Sequence, residues 1–124
     1  MSRDVNPPRP PTPPRPKPRW AEKLLSALET VTGSRAAISH AGRLKSSRYF
    51  VWDETDRRDW NANNRHGETA VVGVLDLYTD VEFDPWAEDV GPALDDAEIA
   101  WEYTGTSWES NTGLWHHSWA WTVG

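Results

Sequence analysis

Between Trp20 and Thr32 the apolar residues Trp20, Leu24, Ala27, Leu28 and Val31 recur at i, i+4, i+7, i+8 and i+11, while Glu22, Lys23 and Glu29 take the other face. That stripe has helical period, Pro18 stands before it, and Gly33 occupies the place of a left-handed C-terminal cap. The pattern predicts a helix over residues 20–32. The period then changes. Ala36 to His40 is compatible with a short strand, and Arg48-Tyr49-Phe50-Val51-Trp52 is a stronger one, aromatic and β-branched. Asp53 to Gly67 carries little that is apolar besides Trp60 and Ala62, and reads as a long polar loop. From residue 68 to 79, Thr69, Val71, Gly73, Leu75 and Leu77 alternate with Ala70, Val72, Val74, Asp76 and Tyr78. Both faces are largely apolar as far as Leu75, which predicts a central strand. Gly73 within it reads as a bulge or a close approach.

A second helix opens with Asp84 as N-cap and Pro85 in the first turn, and Trp86, Val90, Ala93, Leu94 and Ala97 continue it. Gly91-Pro92 predicts a kink or a division into two short pieces. Two strands close the chain. Ile99, Trp101 and Tyr103 alternate with Ala100, Glu102 and Thr104, and Trp115, His117, Trp119, Trp121 and Val123 alternate with Leu114, His116, Ser118, Ala120 and Thr122. Thr106 to Gly113 reads as their connection, with turn chemistry at Asn111-Thr-Gly113. Helix, one or two strands, strand, helix and two strands predict an α+β fold. It would hold an antiparallel or mixed sheet of four to five strands with two helices packed on one face.

The first 19 residues stand apart from this pattern. Residues 7–18 are eight prolines in twelve, a run that can form neither a helix nor a sheet ladder. Residues 1–19 are therefore expected to be a disordered Pro/Arg-rich arm, extended as polyproline II, and residues 20–124 a single α+β domain. Pro10 to Arg15 matches a PxxPxR ligand of SH3-type grooves, but such a motif arises readily in any Pro/Arg-rich tract. A tether or assembly arm is the simpler reading.

Charge changes the picture more than composition does. All 13 Lys and Arg lie at or before Arg65, with 7 acidic residues in that stretch, whereas residues 66–124 hold 12 carboxylates and no Lys or Arg. The overall −6 thus conceals a basic half at +6 and an acidic half at −12. Such polarity bears on partners and assembly rather than on fold. The absence of cysteine removes disulfides, thiolate metal sites and cysteine nucleophiles from consideration, and it fits a reducing cytoplasm. No apolar run approaches the roughly 20 residues of a membrane helix, so no membrane partner is expected. Nine tryptophans supply buried area in bulk to a domain of this size.

Candidate chemistry is thin. His116 and His117 are adjacent on a strand and point to opposite faces, a poor arrangement for one shared ion. Asp53, Glu54, Asp56 and Asp59 cluster near Arg57 and Arg58 without a placed nucleophile or histidine, and Asp95, Asp96 and Glu98 read as a solvated helix end. Trp115, Trp119 and Trp121 could form a stacking platform for a sugar, or pack as core beneath the helices. A nucleic-acid platform needs a basic groove, which the second half lacks. P-loop, nucleophile-elbow, GxGxxG and HExxH motifs are absent, so the residues call for no enzymatic activity and no cofactor or metal.

A leading helix, a strand reading YFVWDE, a polar stretch ending NRHGE, the strand VVGVLDLYTD, a helix opened by EFDPW and the closing IAWEYTGTSWESNTGLWHHSWAW follow one another in order. This succession resembles the tail-terminator (tail-completion) proteins of long-tailed bacteriophages and their prophages, over residues 20–123 and without the proline arm. The resemblance implies a structural virion protein that assembles in the host cytoplasm as a homo-oligomeric ring, commonly a hexamer. The ring would cap the tail tube at the neck and join tail to head. Its partners would be its own copies, the tail tube protein and head–tail connector proteins, with DNA passing through the lumen without specific binding. On that reading Arg57, Arg58, Trp60 and Arg65 are candidate subunit-interface residues. Asp80, Glu82, Asp84, Glu88 and Asp89 are candidates for an acidic lumen or partner face that repels phosphate. Another neck or connector protein, a small carbohydrate- or peptide-binding module using a Trp face, and, least favoured, a hydrolase using the Asp53–Asp59 carboxylates are the alternatives.

Overall fold

The computed structural model describes residues 17–59 and 69–124. The proline arm up to Pro16, and Trp60 and Arg65 with the rest of the expected loop after Asp59, lie outside the described residues. Helix α1 (Arg19–Thr32) leads through a short 3-10 turn into strand β1 (Ile38–His40), followed by β2 (Arg48–Asp59), β3 (Thr69–Thr79), helix α2 (Pro85–Asp96), β4 (Ala100–Glu109) and β5 (Leu114–Val123). The strands form one mixed sheet in the order β1-β2-β3-β5-β4. β1 runs parallel to β2, and the other neighbours are antiparallel. The fold is α+β, and β3 is its central strand, as its two apolar faces predict. α2 crosses from β3 to β4, and β5 then returns between them, a split βαβ arrangement.

Both helices pack on one face. Leu24 and Leu28 of α1 and Val90 and Leu94 of α2 are fully buried against Phe50, Leu75, Leu77, Trp119 and Trp121. Trp20 locks the start of α1 down by stacking on Trp121 and meeting Trp52 edge-on, each at 5.9 Å. Gly33 ends the helix at φ 74°, its N–H donating to the Glu29 carbonyl at 2.8 Å. Gly73 is a close approach, and it pairs with Glu54 at the register irregularity of β2. A Cβ there would stand 2.2 Å from the Asp53 carbonyl oxygen and 2.3 Å from the Trp121 ring. The missing side chain lets Trp121 lie across β3 and donate its indole N–H to the Val74 carbonyl at 2.8 Å.

The opposite face carries a smaller cluster of Tyr49, Val51, Tyr78 and Leu114. No helix covers it. The Arg43 guanidinium lies 3.9 Å above the Tyr78 ring, donates to the Tyr49 hydroxyl at 3.3 Å, and reaches Glu109 at 2.7 Å. His116 stacks on Tyr78 at 4.5 Å and pairs with Asp76 at 2.7 Å.

Two expectations from the sequence need correction, and a third is narrowed. The residues after Trp52 do not begin a loop: β2 runs on to Asp59, paired residue by residue with β3 past an irregularity between Glu54 and Asp56. The ladder hydrogen bonds come from the backbone, so a polar stretch opposite a long apolar strand stays in the sheet. β4 likewise extends to Glu109, across a register shift between Tyr103 and Gly105. The connection shrinks to the turn at Ser110–Gly113, closed by Gly113 at φ 70°. Gly91-Pro92 does not divide α2, which is continuous from Pro85 to Asp96. Pro92 lies on the exposed side, while Val90 and Leu94 hold both halves on the core.

Candidate interaction surface

The turn between β3 and α2 is organised by one carboxylate. Asp84 caps α2 by accepting from the Trp86 amide at 2.9 Å, as the sequence predicts. It also accepts from the Thr79 hydroxyl at 2.6 Å and, at both oxygens, from Arg48 at 2.8 and 2.5 Å. Arg48 in turn lies 3.8 Å over the Trp86 ring. Burial alone would raise the Asp84 pKa. The hydrogen bonds from Arg48, Thr79 and the Trp86 amide, with the nearby Arg48 charge, outweigh it and hold the carboxyl below its ordinary value.

This knot fixes the backbone on either side of it, including Phe83 at φ 54°, a left-handed conformation that a bulky L-residue rarely adopts. Phe83 is 85% exposed. Held there, it stands at one end of a groove of about 700 Å³ between α2 and the outer strands. The floor and far wall are aromatic: Trp101 and Tyr103 of β4, and Trp115, His117 and Trp119 of β5. Trp101 crosses α2 at Gly91, where a Cβ would meet its ring at 2.6 Å, and donates to Asp95 at 2.8 Å. Tyr103 meets Trp119 edge-on at 5.5 Å, and Trp108 meets Trp115 in the same way at 4.9 Å. His117 Nδ1 lies within hydrogen-bonding distance of the Thr106 and Tyr103 hydroxyls, at 3.1 and 3.3 Å. Burial pushes the His117 pKa below its ordinary value, favouring the neutral ring. Glu82 and Glu88 line the same groove, and both are exposed.

The register shift in β4 creates this surface. Trp101 faces Trp121 and Tyr103 faces Trp119, and past the shift Thr106 faces His117 and Trp108 faces Trp115. Four β4 side chains thereby share the helix-bearing face, where Trp101 packs on α2 and Tyr103 and Trp108 stay about half exposed. β4 is also the sheet edge, so its outer backbone groups have no neighbouring strand in the described fold.

The candidate acidic face divides. Asp80, Glu82, Glu88 and Asp89 are exposed on the β3–α2 turn and on α2. Asp84 does not belong with them: it is fully buried and committed to Arg48 and the helix cap, so it presents no charge to a lumen. Arg57 and Arg58 sit on β2 opposite Val71 and Ala70, at the far end of the β2–β3 pair from Thr79 and the acidic turn. At ~3.4 Å per residue the two ends are about 30 Å apart. Part of the charge asymmetry is spent inside the fold, because Arg48–Asp84 and Arg43–Glu109 both join the basic half to the acidic half. Of the tryptophan stripe, Trp119 and Trp121 are 2% and 1% exposed and serve as core, and half-buried Trp115 lines the groove. Sequence reasoning missed Phe83, Trp101, Tyr103 and Trp108 as surface. The signal for Phe83 was its place directly before an N-cap.

Among the described residues, no group of three or more His, Asp or Glu could hold a metal ion, and no helix is long and apolar enough to cross a membrane. No protein-family model matches the chain, and no curated protein matches it in sequence. Among solved structures, the chain is similar to a chain in the virion of a native gene transfer agent (GTA) particle. The identity is 13% and the TM-score 0.42, over 84% of this chain and 95% of that one.

Proposed function

We propose that this protein is a non-enzymatic structural subunit of a phage-like virion, and in particular a tail terminator that closes into a ring at the head–tail joint. The observation that carries assembly is the uncovered aromatic face at the β4 edge. Phe83, Trp108, Tyr103 and Trp101 are 85%, 51%, 46% and 38% exposed, beside an edge strand with no neighbour in the described fold. An isolated domain gains nothing by holding Phe83 in a strained backbone conformation out in water, whereas a subunit gains a contact. The particular role rests on the order of sequence blocks that resembles the tail-terminator family. The separation of Arg57 and Arg58 from the acidic turn supports a closed ring. A contact between unlike surfaces of successive copies can use opposite ends of one hairpin directly. Exposed Asp80, Glu82, Glu88 and Asp89 would serve a lumen that lets DNA slide, or a surface for the next subunit.

Sedimentation of the full chain, followed by electron microscopy of any oligomer, tests the proposal: rings support it, and a strict monomer at high concentration contradicts self-assembly. The aromatic groove also suits a small carbohydrate- or peptide-binding module. That reading requires a monomer that binds its ligand in the groove.

A further inference from the structure

The Pro/Arg arm and the aromatic groove have matching chemistry. Residues 7–15 read Pro-Pro-Arg, Pro-Pro-Thr, Pro-Pro-Arg, a repeat of three, and polyproline II has three residues per turn. Wound in that form, the segment presents one ridge of Pro7, Pro10 and Pro13, a second of Pro8, Pro11 and Pro14, and a third of Arg9, Thr12 and Arg15. Two apolar ridges and one cationic ridge suit a groove with an aromatic floor and an acidic rim. The α2–β4 groove has both, in Trp101, Tyr103, Trp115 and Phe83 on the one hand and Glu82 and Glu88 on the other. Polyproline II is already stiff, so little conformational entropy is lost on docking.

We propose that this groove receives the segment Pro7–Arg15 of a second copy of the chain, with the prolines on the aromatics and Arg9 and Arg15 toward Glu82 and Glu88. The donor is another copy because of where the arm leaves the fold. Lys17 and Pro18 line a cavity with Ile38 and His40 of β1, at the edge of the sheet opposite β4. Arg19 and Trp20 lie by Val123 at the end of β5, and the groove residues His117 and Trp115 are six and eight residues back along that strand, about 20–27 Å at ~3.4 Å per residue. At ~3.1 Å per residue, Arg15 lies only about 6 Å of arm from Lys17, and Pro10 about 22 Å. The segment therefore cannot lie along its own groove from end to end, but it can span to a neighbour's. The inference rests on the assembly reading and names the contact that would link successive subunits.

Photo-cross-linking of the full chain tests it. A benzophenone side chain is placed at position 108, next to the groove residue Trp115, and isotopically heavy and light protein are mixed before irradiation. The expected product joins position 108 to a peptide within residues 7–15, in mixed heavy–light pairs. Its yield should fall several-fold in the Glu82→Lys, Glu88→Lys double variant. It should fall equally in the Arg9→Glu, Arg15→Glu double variant, with the unfolding transition of each variant compared with the parent's. Cross-links elsewhere, cross-links only within one copy, or a yield indifferent to both charge reversals overturn the proposal. Oligomers that form without arm cross-links overturn arm docking and leave ring assembly standing. A strict monomer overturns both.

Discussion

Arg48 and Asp84, 36 residues apart in the chain, form a two-point ion pair that joins the start of β2 to the N-cap of α2. The carboxylate is fully buried, while the guanidinium is partly open and stacked on Trp86. Removing one partner of such a pair leaves an uncompensated buried charge or an uncapped helix. Asp84→Ala should therefore lower the unfolding free energy by about 3 kcal/mol in denaturant titration. The pH dependence follows from the sign of the shift. The folded pKa of Asp84 is depressed, so its stabilisation is complete above the unfolded value near 3.8 and is lost as pH falls through the folded pKa. The parent should lose stability below about pH 4, and Asp84→Ala should lose less over the same range.

Two glycines separate fold from surface. Gly73→Ala drives a Cβ into the Asp53 carbonyl and the buried Trp121 ring, and neither can retreat. It should cost about 3 kcal/mol or more, read as a fall in melting temperature. Gly91→Ala meets only Trp101, which is 38% exposed and can swing outward. Its packing cost is offset by the helix preference of Ala over Gly, about 1 kcal/mol, so stability should change by less than about 1 kcal/mol. The displaced Trp101 should nonetheless disturb the groove, visible as an altered tryptophan fluorescence spectrum.

Phe83 and Trp119 should behave oppositely. Trp119→Ala removes a fully buried indole and should cost about 3–5 kcal/mol. Phe83→Gly removes an exposed ring and relieves a positive φ, so stability should stay level or rise by about 1 kcal/mol. If Phe83 serves assembly, the same variant should show reduced oligomer content in sedimentation. A loss of stability as large as that of Trp119→Ala would place Phe83 in the fold instead.

How far the sequence reveals this molecule depends on how local each determinant is. The α1 stripe from Trp20 to Val31, the cap at Asp84 and the alternation from Trp115 to Val123 are local patterns, and the structure carries them through. The second half of β2 was hidden because Asp56 to Asp59 join the sheet through backbone pairing with β3, which side-chain polarity does not report. The groove was hidden by one residue. The shift after Tyr103 reverses the alternation, so Trp108 falls on the same face as Trp101 and Tyr103, which simple period-2 counting denies. The burial of Asp84 was hidden by distance in sequence, since its partner Arg48 is set by the β2–β3 register. For the same reason the charge asymmetry looked wholly external, although Arg43 and Arg48 spend part of it within the fold.

Self-assembly is the central claim, and charge tests it most directly. Exposed charge pairs are individually weak and are screened beyond about 8–10 Å at physiological salt, but several together can set register and association rate. Arg57→Glu with Arg58→Glu, at the end of the hairpin remote from the acidic turn, should lower oligomer content while leaving the unfolding transition of the monomer in place. The deciding measurement is sedimentation velocity of the full parent chain at high concentration, in low and then in high salt. The account predicts a discrete closed oligomer in low salt, a hexamer on the tail-terminator reading, that dissociates as salt rises. A single monomeric boundary at every concentration in low salt would contradict it.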